Sequence, residues 1–287
     1  MKFTKMQGLG NDFVILDCIN DKLKFTEKEI EELSIKMCDR HFGIGADGIL
    51  LVLPSGKADI RMRIINSDGS EAEMCGNGIR CFARFVYEKG IVKKDTMTID
   101  TLAGIMVPKI LTDAEGHVTN VEVDMGEPVL ERQDIPMVGE GRAVSEPIQI
   151  EDREFKVTAV SMGNPHCVIF MDDLKDFQIE YWGPRIEKSK YFPRKTNVEF
   201  VQVVNDSEVI MRVWERGAAV TLACGTGSCA TATACVLNKK TGRDILLHLD
   251  GGDLRVRWDE ASNHLFMTGP AEESFVGTYN WEAGGND

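Results

Sequence analysis

No apolar run in this 287-residue chain reaches the length needed to span a bilayer. Its opening residues, Met1-Lys2-Phe3-Thr4-Lys5-Met6-Gln7-Gly8, lack the apolar core of a secretory signal. A cytoplasmic chain without membrane association is therefore expected. No block of Lys or Arg stands out, and 46 acidic side chains outnumber 33 basic ones for a formal net charge of −13. Such a chain offers no phosphate-tracking surface, so nucleic acid is not an expected partner. Cys-x-x-Cys and His-x-x-x-His are missing, and Cys75 with Cys81 or Cys224 with Cys229 are not spaced as zinc knuckles are, so no metal is expected. Gly56-Lys57-Ala58 is not the Gly-Lys-Ser/Thr of a phosphate cradle. Gly43-Ile44-Gly45-Ala46-Asp47-Gly48 fits Gly-x-Gly-x-x-Gly in letters, but no strand-turn-helix with a partner acid frames it. Nothing marks a lysine for pyridoxal phosphate, and no cofactor is expected.

What is present is a globular composition, 43% hydrophobic and 28% charged, in a length that suits two domains. Eight cysteines in a reducing compartment are expected to be thiols. Cys18, Cys38, Cys81, Cys167, Cys229 and Cys235 have apolar or small neighbours and read as buried packing residues. Cys75 and Cys224 differ. Each sits in a Cys-Gly-x-Gly turn just before a helix-like stretch, and they are 149 residues apart, about half the chain. Gly8-Leu9-Gly10-Asn11-Asp12 and Ser161-Met162-Gly163-Asn164-Pro165-His166 form a second pair of echoes, with a nearly equal spacing of 153 between the asparagines. Two landmarks repeated in one order point to a duplicated unit with one thiol per half. An enzyme that takes a proton from one face of a carbon and returns one to the other needs two such groups.

Short alternating segments predict strands over residues 2–6, 13–17, 49–53, 60–65, 97–101, 105–110, 118–124, 155–161, 167–170, 197–205 and 209–214. Helices are expected over 26–38, 78–89 and 227–240, the last two stopping at Gly90 and Gly242. Both of these read as apolar nearly all round, as a helix enclosed by its own domain's sheet would be. Pro128 and Pro136 mark residues 125–146 as the crossover between halves. The expected domains are 1–124, completed by 269–287, and 125–268.

Glycines flanking Asn77 and Thr226 let backbone approach a ligand closely, and a helix starting just beyond supplies unpaired N–H groups and a positive dipole end. Such turns suit a carboxylate and favour a thiolate at their mouth. Two of them gripping one α-carboxylate would stabilise the charge that develops as the α-proton leaves.

The strings Gly8-Leu9-Gly10-Asn11-Asp12-Phe13, Asn66-Ser67-Asp68-Gly69-Ser70, Met74-Cys75-Gly76-Asn77-Gly78-Ile79-Arg80-Cys81, Ser161-Met162-Gly163-Asn164-Pro165-His166, Glu215-Arg216-Gly217 and Ala223-Cys224-Gly225-Thr226-Gly227 resemble the diaminopimelate epimerase family. The resemblance runs the length of the chain. It implies an α/β (α+β) fold of two pseudo-symmetric domains, each a mainly antiparallel sheet wrapped round a central helix, with the active site in the interdomain cleft. It also implies cofactor-independent interconversion of LL- and meso-diaminopimelate, on the route to lysine and peptidoglycan, by a homodimer. Carried over by motif, Cys75 and Cys224 are the acid/base thiols, while His166 and Glu215 tune them. Gly76, Asn77, Gly225 and Thr226 grip the carboxylate; Asn11, Asn66, Asn164, Asn197, Glu215 and Arg216 hold the substrate's polar ends. A guanidinium such as that of Arg216 suits a distal carboxylate, which it can bind through two parallel bonds.

Departures from the family pattern are also present. After Glu-Arg-Gly the family commonly has x-Gly-Glu-Thr, where this chain has Ala218-Ala219-Val220-Thr221. Gly48 stands where some members carry glutamine, and Phe275 where a tyrosine at the dimer contact is frequent. A related two-cysteine racemase for another amino acid, histidine or lanthionine, is the alternative. An alternative of another class is a redox or amino-acid-binding protein with a Cys75/Cys224 pair.

Overall fold

The computed structural model describes residues 1–281. They form a mixed α+β fold of two compact units, Met1–Val123 with the segment from Gly269 onward, and Asp124–Thr268. The first unit contains β1 (Lys2–Gly8), β2 (Asn11–Asp17), α1 (Glu27–Cys38), β3 (Gly48–Leu53), β4 (Ile60–Asn66), β5 (Glu71–Ala72), α2 (Gly76–Glu88), β6 (Ile99–Thr101), β7 (Gly104–Met106), β8 (Pro108–Thr112) and β9 (Val118–Asp124). The second contains β10 (Glu146–Ile150), β11 (Arg153–Ser161), β12 (Pro165–Met171), α3 (Ile179–Glu187), β13 (Asn197–Val203), β14 (Glu208–Glu215), β15 (Ala219–Thr221), α4 (Gly225–Leu237), β16 (Asp244–Leu249), β17 (Gly252–Trp258) and β18 (Leu265–Gly269). A last strand, β19 (Glu272–Thr278), pairs antiparallel with β1 in the first unit.

Duplication is written into the pairing. β1 to β4 run antiparallel, parallel, antiparallel; β5 folds back on β4, β6 joins β4 in parallel, and β7 turns back on β6. β11 to β17 repeat this sequence of orientations strand for strand, with β15 in the place of β5. In each unit one helix fills the connection to the parallel neighbour (α1, α3), and a second helix follows the short hairpin (α2, α4). The second helix is the central one: α2 packs on β1, β2, β3 and β8, and α4 on β11, β12, β13 and β17.

Local chemistry explains the expected elements that form. Thr26 caps α1, its hydroxyl accepting from the Glu29 N–H at 3.3 Å while the Glu29 carboxylate accepts from the Thr26 N–H at 2.7 Å. Ile30, Leu33 and Met37 on this helix pack with Val14, Leu16, Ile49 and Leu51 from the sheet.

Four expectations need correction. α4 ends at Leu237, short of Gly242: Lys239 takes the left-handed conformation (φ 56°), and the Lys240 N–H closes on the Cys235 carbonyl at 2.9 Å. α2 is not apolar all round, because Arg80 lies wholly buried in it, donating to the carbonyls of Gly76 and Pro270, each at 3.1 Å. The strand expected over 105–110 is broken into β7 and β8, and Pro108, which has no N–H to give a ladder, opens the second piece. Helix α3 was not foreseen, since Gly183 and Pro184 sit inside it. Its glycine is required by packing, as a Cβ there would lie 2.5 Å from the Trp214 ring. Thr26→Ala is expected to cost about 1 kcal/mol through loss of the cap, measured by urea denaturation.

Candidate active site

Cys75 and Cys224 occupy the same local structure in the two units. Each is the N-cap of its central helix, with extended backbone (φ −140° and −128°), and each sulfur accepts from the N–H three residues on, Gly78 or Gly227, at 3.4 Å. A serine-like capping role is thus played by sulfur. The amides of Gly76, Asn77, Gly225 and Thr226 belong to the first turns of these helices, where N–H groups have no partner within the helix. Cys75 is half-buried, and the other seven cysteines are buried.

Around Cys75 the polar groups form a chain. Asn11 Oδ1 lies 3.5 Å from Cys75 Sγ and accepts from Asn77 Nδ2 at 3.3 Å. Asn11 Nδ2 donates to Asp47 Oδ2 at 2.5 Å, and the same carboxylate accepts from the Asp12 backbone at 3.0 Å. A carboxylate only accepts, so Asp47 fixes the Asn11 amide with its oxygen turned toward sulfur. Arg40 bonds both Asp12 (2.7 Å) and Asp47 (2.8 Å), and Lys5 pairs with Asp12 at 2.6 Å. Burial works to raise the Asp12 carboxyl, but Arg40 and Lys5 outweigh it and hold Asp12 below the usual range. Asn66, at the end of β4, bonds Ser70 in its own turn rather than Cys75.

Around Cys224 the neighbours are acidic. Glu215, at the end of β14, accepts from the Thr221 hydroxyl, and the Cys224 thiol lies 3.5 Å from the Thr226 hydroxyl. Burial pushes the Cys224 thiol well up, and the charges of Glu215 and Glu199 add to it. Burial likewise raises Glu215, against the Thr221 hydrogen bond. His166 is fully buried, with Nδ1 2.6 Å from Glu199 Oε1 and Nε2 2.9 Å from Asn164 Oδ1. Its nitrogens therefore face Glu199 and Asn164, so any influence on the thiol acts through charge. Asn197 ties two strands together, donating to the Pro165 carbonyl at 3.0 Å and accepting from the Arg216 N–H at 2.8 Å. The Arg216 guanidinium donates to the Arg194 carbonyl at 3.2 Å.

In unit 1 the structure brings together Asn11, Cys75, Gly76 and Asn77 but leaves Asn66 apart. In unit 2 it brings together Asn164, His166, Glu215, Cys224, Gly225 and Thr226, with Asn197 and Arg216 alongside. Sequence reasoning missed Asp47 and Glu199. A signal for Glu199 existed: it is the one acidic residue between Val198 and Phe200 in a strand with apolar residues on both sides.

The diaminopimelate epimerase family model matches residues 3–131 and 158–273. The chain belongs to the diaminopimelate epimerase family. It is 56% identical over 278 residues to a diaminopimelate epimerase of Heliobacterium modesticaldum, covering 96% of this chain and 99% of that one. A diaminopimelate epimerase of Pelotomaculum thermopropionicum is 55% identical over 280 residues, covering 97% and 99%. Among solved structures, the fold is shared by a Bacillus anthracis phenazine biosynthesis protein of the PhzF family (TM-score 0.68, 16% identity, 96% and 97% covered). It is shared too by an Agrobacterium vitis hydroxyproline epimerase with bound trans-4-hydroxy-L-proline (TM-score 0.68, 14% identity, 96% and 91% covered).

Measured against the diaminopimelate epimerase pattern, the departures are modest. Ala219, in the place of a glycine, holds the left-handed backbone a glycine would take (φ 62°), and Thr221 still reaches Glu215. At Gly48 any side chain would meet the Ile65 carbonyl, since a Cβ there lies 2.6 Å from that oxygen.

The two helix starts differ in tolerance. A Cβ at Gly227 would lie 2.7 Å from Glu199 Oε1 and 3.3 Å from Cys224 Sγ, whereas at Gly78 the nearest atoms are at 3.4 Å. Gly227→Ala is expected to destabilise the protein by about 1–3 kcal/mol. Gly78→Ala should be neutral or mildly stabilising, because alanine is the better helix former by about 1 kcal/mol. Equilibrium denaturation of the two variants checks this.

Proposed function

We propose that this chain interconverts LL- and meso-diaminopimelate, with Cys75 of one unit and Cys224 of the other as the acid and base on a single α-carbon. The observation that carries the reading is the pair of cysteines capping topologically equivalent helices, in a member of the diaminopimelate epimerase family. One sulfur starts as thiolate and takes the α-proton; the other starts as thiol and delivers a proton to the opposite face. Two interacting thiols titrate as a coupled pair. The first-turn amides at Gly76 and Asn77 and at Gly225 and Thr226 receive the α-carboxylate and stabilise the charge that builds as the proton leaves. No cofactor or metal enters this scheme, because the helix N-termini supply the electrostatic stabilisation.

Asn11, Asn66, Asn164, Asn197 and Arg216 hold the polar groups of the substrate, while His166 and Glu215 tune the thiols. The two halves, 1–124 with 269–287 and 125–268, each bring one thiol. We place the enzyme in the cytoplasm as a homodimer without nucleic-acid partners. Support for the dimer comes from β19, an edge strand with exposed Phe275 and Val276. No helix among the described residues is long and apolar enough to cross a membrane.

Cys75→Ala and Cys224→Ala are each expected to lower epimerisation at least about 100-fold. Each variant should still exchange the α-hydrogen of the one stereoisomer that faces its surviving thiol. Isomer conversion and deuterium uptake are followed together; near-normal epimerisation by either variant would refute the two-base scheme.

A further inference from the structure

Asp47 is bound into unit 1 twice, once through its backbone and once through its side chain. Its N–H donates to the Asp12 carbonyl at 2.9 Å and its carbonyl accepts from the Ser67 N–H at 3.0 Å, so the backbone alone links the turn of Asn11 to the turn of Asn66. The side chain works separately. Its Oδ2 takes the Asn11 NH2 group at 2.5 Å and the Asp12 N–H at 3.0 Å, while Oδ1 pairs with Arg40 at 2.8 Å. That ion pair is 56% exposed on the arginine and 42% on the aspartate, and so contributes little to stability.

An asparagine amide has a donor at one end and an acceptor at the other, and a sulfur atom distinguishes them. An N–H beside sulfur favours thiolate, whereas a carbonyl oxygen accepts from S–H and repels S⁻. With the NH2 group held by Asp47, it is Asn11 Oδ1 that lies 3.5 Å from Cys75 Sγ, and the same oxygen accepts from Asn77 Nδ2 at 3.3 Å. On its other side the sulfur accepts from the Gly78 N–H at 3.4 Å, at a helix N-terminus whose dipole also favours thiolate. A sulfur that is to deliver a proton must also be able to hold one. We propose that Asp47 is a positioning residue for Cys75: by fixing the Asn11 amide it keeps an acceptor on the sulfur, and so keeps Cys75 able to carry the proton it delivers. The inference rests on the two-thiol reading and extends it by naming what holds that proton.

The titratable and charged side chains on the elements around Cys75 are Lys5 on β1, Asp12 on β2, Arg40 beside Asp47, Glu73 ahead of α2, and Arg80 and Cys81 on α2. Two substitutions leave all of these in place and remove one and the same charge. Asp47→Asn keeps an oxygen that can take the Asn11 NH2 group. Asp47→Ala keeps none and frees the amide to turn its N–H toward sulfur. The pinned backbone holds the loop in both.

The test is alkylation of Cys75 by iodoacetamide in the Cys224→Ala protein at pH 7.5, read by mass spectrometry of the Cys75 peptide. Asp47→Ala should be alkylated about threefold faster than Asp47→Asn, because its thiol gives up the proton at lower pH. Asp47→Leu, which has nearly the volume of aspartate and no acceptor, gives the same reading should the alanine variant not fold. In the Cys75→Ala protein the same substitutions should leave alkylation of Cys224 alike. A ratio below twofold at Cys75 overturns the assignment, since charge alone then accounts for Asp47. An equal change at Cys224 overturns it too, as damage to the fold would reach both sulfurs. Alkylation needs no turnover, so the test stands apart from the epimerase reading, which fails instead if the intact protein exchanges no α-hydrogen.

Discussion

A sulfur atom that caps a helix is the interaction on which the rest depends. By accepting the N–H of Gly78 or Gly227, the cysteine is held at the helix mouth beside amides that have no intrahelical partner. The same geometry places a nucleophilic atom and an anion-binding turn within one short segment. The surrounding elements serve to hold this turn still: the sheet that wraps each central helix, the buried Arg80 that ties α2 to the Pro270 carbonyl, and the glycines that let the helix start lie close to its neighbours. Cys-Gly-x-Gly is therefore a structural as well as a chemical unit.

Duplication gives two such units, and their polar filling then differs. Asn11 is held by the carboxylate of Asp47, which takes its NH2 group, while the oxygen of Asn164 faces the ring of His166. Phe13 and Leu50 become His166 and Glu199 in the second unit. A racemising enzyme must treat two faces of one carbon nearly alike, yet its substrate has chemically distinct ends. A symmetric scaffold with asymmetric side chains meets both demands.

Much of this was legible in the sequence because its signals were local. The nearly equal spacings of Asn11 to Asn164 and of Cys75 to Cys224 exposed the duplication, while the Glu29 that completes the cap of α1 came only with the structure. What was hidden depended on contacts distant in the chain. The helix over 78–89 reads as apolar nearly all round, and the place of Arg80 in it is defined only by a carbonyl partner 190 residues away. Asn197-Val198-Glu199-Phe200 reads as a half-buried strand, and only the covering of its second face by α4 turns Glu199 into a buried carboxylate. Asp47 lies in a Gly-x-Gly-x-x-Gly string that no strand-turn-helix frames, and α3 was masked by Gly183 and Pro184, which are poor helix formers in isolation.

The central claim is that this chain moves the α-proton of an amino acid between two thiols. Its most direct test is NMR of the purified, reduced protein with LL-diaminopimelate in D2O, without pyridoxal phosphate, alongside histidine and lanthionine. Deuterium entering the α-position of diaminopimelate with build-up of the meso isomer is the result the account predicts. Exchange with histidine or lanthionine alone, or no exchange with any of the three, would contradict it.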